Sequence, residues 1–206
     1  MSCFGDSTGP VERRRAAFQF QPVFDRQAVL LAPFDSVHIT LVRPGTTPPE
    51  VALDTTIVFP DGADSVRLSL TVALSAGATS EPFDLTLVML DSAGAEVFRG
   101  GPTRVTATAG VLGGPAPEVP IVYVGTGANA AGVRFRAPLP STVFFEGTVE
   151  FFAEAYDLAG AVLAGTPIVY RVAPADSTKA RVPGPAVGRV IAKTVRGPVR
   201  VIAALL

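Results

Sequence analysis

The chain has 206 residues, 48 % of them hydrophobic and 17 % charged, with 20 Gly, 19 Pro, one His, one Cys and no Trp. This is too apolar for a disordered linker and too rich in proline for a helical bundle, since an interior proline costs a helix about 3 kcal/mol. A net charge of -1 argues against nucleic acid as a general partner, and no apolar run approaches the roughly 20 residues of a membrane-spanning helix.

Residues 1–15 are small, polar or charged and are expected to form a flexible tether. Phe18, Phe20, Val23 and Phe24 suit a first strand, which Pro22 should confine to a sheet edge because proline has no N–H to give a ladder. Val37, Ile39 and Leu41 alternate with His38 and Thr40, predicting a half-buried strand that ends at Pro44. Val51 to Phe59 is the next strand, closed by Pro60-Asp61-Gly62. Val66, Leu68, Leu70, Val72 and Leu74 then alternate with Arg67, Ser69, Thr71 and Ala73. Only a strand with one face in a core reads this way. Phe83, Leu85, Leu87 and Met89 repeat the pattern, Asp91-Ser92-Ala93-Gly94 predicts a hairpin turn into Ala95 to Phe98, and Thr103–Ala109 and Val119–Val124 complete the set. Seven or eight strands at this spacing predict an antiparallel sandwich of immunoglobulin or fibronectin type over 16–126. The small, uncharged stretch 127–132 is the expected linker to a second sandwich over 133–206.

The second segment carries a motif. Ala155-Tyr156-Asp157 leads to Gly160, Leu163, Gly165, Pro167, Val169 and Tyr170; Ala180-Arg181-Val182, Gly188-Arg189-Val190 and the alternating Val199, Val201 and Ala203 follow. This resembles the bacterial Ig-like group 2 domains. The resemblance covers roughly 133–206 and implies a fold far more than an activity. Tyr170 stands where that family often has Trp, and the family usually has a further strand beyond the position of Leu206, so the expectation is a missing edge strand or an edge supplied by a partner. At the other end, Ser2-Cys3-Phe4-Gly5-Asp6-Ser7 resembles the mature start of a bacterial lipoprotein, which implies an acyl anchor on Cys3 and an extracytoplasmic, periplasmic or cell-surface location.

Charge is unevenly spread. Residues 1–126 hold 13 acids and 8 bases, whereas 127–206 hold 5 acids and 9 bases. From Arg171 onward Asp176 is the only acid, against Arg171, Lys179, Arg181, Arg189, Lys193, Arg196 and Arg200. Those seven cations are the candidate partner-facing surface, suited to an acidic protein or anionic lipid headgroups, with a solvated strand face as the plain alternative.

Catalytic and metal chemistry find little material. One His and one Cys assemble no nucleophile–base–orienter set. His38 alternates with core residues and should face solvent. Asp54, Asp61 and Asp64 lie near a turn and could offer calcium their oxygens, although turn aspartates usually bond their own backbone. Glu146, Glu150 and Glu154 are evenly spaced, which predicts one strand face, and Phe144-Phe145 reads as core plus edge. The expectation is a non-catalytic protein without cofactor or metal: an accessory subunit docking through edges and loops onto a membrane-associated protein assembly. The alternative is a cell-surface adhesion or carbohydrate-binding module, which the absence of Trp makes less suitable.

Overall fold

The computed structural model describes residues 14–23, 31–59, 68–110 and 116–206. Strands make up 53 % of it and helix 2 %, so the chain is all-β, built from several sheets. It divides into two compact units, and the division falls within three of the strands.

The first unit comprises 14–23, 36–59, 68–89, 99–110 and 116–121. Its strands are β1 (Arg15–Val23), β2 (Ser36–Arg43), β3 (Glu50–Val58), β4 (Leu68–Ala73), β5 (Ser80–Leu90), β6 (Glu96–Thr108) and β7 (Glu118–Tyr123). They join in one sheet of order β3-β2-β5-β6-β7-β1-β4, and because the edges β3 and β4 approach each other the sheet is nearly barrel-shaped. The period-two residues do what their alternation requires. Val37, Ile39 and Leu41 of β2, Phe83, Leu85, Leu87 and Met89 of β5, Phe18 and Phe20 of β1, and Leu68 and Val72 of β4 are all buried. Val66 and Arg67 of the expected β4 lie outside the described residues.

Two expectations need correction here. Strand β1 is not an edge: it lies between β7 and β4. Its two pairings follow one another along the strand, antiparallel to β4 over Arg15–Phe20 and parallel to β7 over Gln21–Val23. Pro22 therefore sits where β1 has left β4, so no donor is asked of it on that side. Strand β6 also runs unbroken through Gly100-Gly101-Pro102, where the sequence suggests an end. Gly101 has φ 85°, and a Cβ there would collide with the carbonyl oxygen of Leu85, so glycine lets the strand bend without leaving the sheet.

Among the described residues, one charged side chain lies in this unit's interior. Arg43 is 9 % exposed and donates to Glu81 Oε1 at 2.8 Å, to Glu50 and to the carbonyl of Ala73 at 2.8 Å, with its guanidinium 5.5 Å from the centroid of Phe83.

The second unit comprises 31–35, 90–98 and 122–206. Its own strands are β8 (Gly132–Phe135), β9 (Thr148–Glu150), β10 (Ala153–Tyr156), β11 (Val162–Leu163), β12 (Ile168–Val172), β13 (Ala180–Arg181), β14 (Arg189–Ala192) and β15 (Val201–Leu205). They form three small sheets, β11-β10-β8, β12-β15 and β13-β14-β9. Phe98 stacks edge-on to both Phe34 and Tyr123, at 5.8 and 5.5 Å between centroids. In the segment 127–132, expected as a linker, Ala128 N and Ala130 N close turns on Gly125 O and Gly127 O, Ala131 N bonds Tyr156 O, and Gly132 begins β8.

Two turns in this unit are alike. Asp91 Oδ1 accepts from the N–H groups of Ala93 and Ala95, and Asp157 Oδ1 from those of Ala159 and Ala161. Gly94 and Gly160 supply the positive φ that each turn demands.

The stretch Thr148–Tyr156 is not one strand. It pairs with β14 as β9, crosses at Phe151-Phe152, and continues beside β8 as β10. Phe151 N donates to Gly188 O and Arg136 N to Phe152 O, both at 2.7 Å, which fixes the crossing. Glu146 lies in a turn at φ 54° while Glu150 and Glu154 stand in different sheets, so the three carboxylates share no face. Glu150 pairs with Arg189 at 2.9 Å and Glu154 with Arg134 at 2.8 Å.

Candidate docking surface

The inward residues of β13 and β14 are small. Ala180 pairs with Ala192, and Val190 stands two positions from Ala192 on the same strand, so the three share a face. Loops 138–147 and 193–199 meet at this end of the unit. A cavity of about 780 Å³ lies between them. Val143, Phe144, Phe145, Phe151, Val190 and Val201 contribute apolar wall, and Ser141, Thr142 and Thr194 contribute polar wall beside them.

Backbone hydrogen bonds hold the cavity's frame. Ala192 N donates to Gly147 O at 3.0 Å and Lys193 N to Lys179 O at 2.7 Å. A tight turn after the two rings is closed by Gly147 N on Phe144 O, at 2.8 Å. Phe144 is 85 % exposed and Phe145 62 %, so the expectation of core plus edge is corrected: both rings stand at the mouth of the cavity. Leu139 and Val195 are exposed in the same two loops.

Lys179, Lys193 and Arg196 line the cavity, and no carboxylate does. Their states differ. Lys179 Nζ donates to Asp176 Oδ1 at 2.8 Å and to Pro198 O at 3.0 Å. Asp176 also accepts from Arg200 N at 2.9 Å. The Lys179 hydrogen bond first, and the Arg200 N–H second, hold the Asp176 carboxyl below its ordinary pKa, and Lys179 is ion-paired with it. Lys193 Nζ donates to a neutral acceptor, Ser177 O, at 2.7 Å. Arg196 is exposed and has no carboxylate partner among the described residues.

The remaining sequence-derived cations lie elsewhere. Arg189 is committed to Glu150 on the β13-β14-β9 sheet, which also carries Arg181. Arg171 belongs to β12 in another sheet, and Arg200 precedes β15. Of the seven, the fold therefore brings Lys179, Lys193 and Arg196 together around one cavity. The contribution of Phe144-Phe145 was visible in the sequence only as an aromatic pair between prolines and Glu146-Gly147, a pattern equally compatible with a core strand.

His38 bonds Asp54 across the exposed face of β2 and β3. Asp61, Asp64 and Cys3 lie outside the described residues. Among those described, no three His, Cys, Asp or Glu side chains converge, and no helix is long and apolar enough to cross a membrane. No family model matches the chain, and neither a curated protein nor a solved structure matches it.

Proposed function

We propose that this protein is a non-catalytic, extracytoplasmic accessory subunit that docks onto a membrane-associated protein assembly through the loop end of its second unit. The observation that carries this reading is the pairing of exposed Phe144 and Phe145 with Lys193 and Arg196 around a mouth that holds no carboxylate. Exposed aromatics supply apolar contact, and cations without a carboxylate partner attract an acidic protein surface or anionic headgroups. In this reading the N-terminal segment tethers the protein, with Cys3 as its acyl-bearing residue.

The fold reading goes with it. The second unit is read as an Ig-like sandwich in which β13-β14-β9 and β12-β15 are the facing sheets and Tyr170 is the core plug. The resemblance of Asp157-Leu158-Ala159-Gly160 and Gly188-Arg189-Val190 to the group 2 pattern supports this, as does the burial of Tyr170 and Val190. The first unit is read as a related sandwich whose sheets are joined at one side.

The test is native size after mild detergent extraction from the protein's own cells, with co-migrating proteins identified by mass spectrometry. Migration within a large membrane assembly is expected. Migration alone, near its 21.3 kDa mass plus bound detergent, overturns the subunit reading and favours an adhesion or carbohydrate-binding module.

A further inference from the structure

We infer that the cavity at the loop end of the second unit binds a doubly charged tetrahedral oxyanion of the phosphate type through Lys193 and Arg196. This deepens the docking reading by naming the chemistry that this end recognises, and rests on it only in taking the end as open to a partner.

The backbone draws the cations together. Lys193 N donates to Lys179 O at 2.7 Å, which makes the two lysines cross-strand neighbours just beyond β13 and β14. Loop 193–199 then closes over the Lys179 stem. Lys179 Nζ donates to Pro198 O at 3.0 Å, and a Cβ on Gly197 would lie 3.4 Å from Lys179 Cε. Gly197 has φ 138°, which side chains disfavour, so this wrap suits glycine. Arg196, the residue before it, is thereby kept with both lysines.

Like charges at neighbouring positions repel. Asp176 answers one of them, 2.8 Å from Lys179 Nζ, and lies outside the lining, as does Glu146 of the facing loop. Three cations against one carboxylate leave two positive charges uncompensated. Lys193 Nζ donates to one group, the carbonyl of Ser177, so further N–H donors remain on it. The Arg196 guanidinium and the hydroxyls of Ser141, Thr142 and Thr194 bond nothing among the described residues. Cationic and hydroxyl donors in this number suit a tetrahedral oxyanion, whose oxygens outnumber those of a carboxylate and whose charge matches the excess. The cavity, about 780 Å³, also has room for whatever carries the anion. Its mixed polar and apolar walls admit carriers of either character, so only the anionic group is specified.

That group has two sources, a soluble phosphate compound or a phosphate headgroup presented by a bilayer. The test uses amide correlation NMR spectra of the nitrogen-labelled full chain at neutral pH, with ionic strength held constant by sodium chloride. The chain is titrated with sulfate, inorganic phosphate and glycerol phosphate, with acetate as the singly charged control. Phosphatidylcholine vesicles with and without phosphatidate provide the bilayer arm. Saturable shifts confined to amides of 141–142 and 193–197 are expected, with acetate binding more weakly. Lys193→Gln with Arg196→Gln should weaken sulfate and phosphate binding at least about tenfold. Arg171→Gln with Arg189→Gln removes the same charge outside the cavity and should change binding less than about twofold. Unmoved amides elsewhere show that each variant is folded, and Arg196→Gln alone stands as the test if the double variant is not. Shifts that do not saturate, equal losses in the two double variants, or acetate binding as tightly as sulfate overturn the proposal. Tighter binding of glycerol phosphate supports it with a soluble source, and tighter binding of phosphatidate vesicles supports it with a headgroup. Vesicle binding with no response to any soluble anion overturns it. Purified protein and small anions are used, so failure here is distinct from failure to co-migrate with an assembly in cells.

Discussion

At the scale of single residues, Arg43 is the buried charge of the first unit among its described residues. Its side chain is 10 % exposed and that of Glu81 14 %, so removing either partner strands a charge away from water. Arg43→Ala is expected to cost about 3 kcal/mol, read as a lower urea midpoint. Burial pushes the Glu81 pKa up, but the hydroxyl and N–H of Ser75 and the Arg43 guanidinium together outweigh it, and the carboxyl ends below its ordinary value. A depressed carboxyl contributes stability that is present above its unfolded pKa and is lost as pH falls through the folded one. Glu81→Gln should therefore flatten the acid side of a stability–pH profile while lowering stability near neutrality. In the sequence Arg43 is only a charge at the end of an alternating strand. Its burial depends on a partner 38 positions away, which no local pattern announces. In the second unit, Tyr170 is buried and its hydroxyl accepts the N–H of Ala153 at 2.9 Å. Tyr170→Phe keeps the ring and orphans that donor, so a loss of about 1 kcal/mol in thermal or urea unfolding is expected.

Among the elements, the crossing at Phe151-Phe152 organises the second unit. One stretch of chain serves two sheets because Gly188 lets β14 approach Phe151 closely: Phe151 N bonds Gly188 O, and a Cβ on Gly188 would strike the Phe151 carbonyl. Gly188→Ala should force β14 away from β9 at a cost of about 2 kcal/mol. Hydrogen exchange would show it as lost protection in 148–150 and 189–192, with the first unit's strands unchanged. The alternation within each strand and the two Asp-x-x-Gly turns were legible because each is decided by neighbours in the chain. The crossing was not, since Val149 to Tyr156 alternates much as a single strand would. The placement of β1 was misread for a related reason: Pro22 forbids a donor on one side but does not say where along the strand its partner changes.

For the whole molecule, the charge asymmetry of the sequence matters through its distribution in the fold. Ion pairing removes Lys179 and Arg189 from the seven C-terminal cations, and Arg171 and Arg181 belong to different sheets. Association with an acidic partner should therefore depend on Lys193 and Arg196 far more than on Arg189. Measured against the partner found by co-migration, reversal of the first two is expected to weaken binding at least about tenfold and to remove most of its salt dependence, with Arg189→Glu changing it little. Equal losses at all three positions would instead indicate a diffuse basic field.

The sequence by itself determined that this chain is all-β, where most of its strands and turns lie, which strand residues face a core, and that the stretch from Arg171 onward is net positive. Those properties are local: alternation, turn chemistry and composition are set by residues a few positions apart. Only the tertiary structure decided that the first seven strands join into one nearly closed sheet, that Arg43 is buried, that Phe144 and Phe145 are exposed, and that Lys193 and Arg196 share a cavity with Phe151 and Val190. Each of these depends on which distant segments come together and how much volume their side chains leave between them. A linear pattern of polar and apolar residues does not encode that.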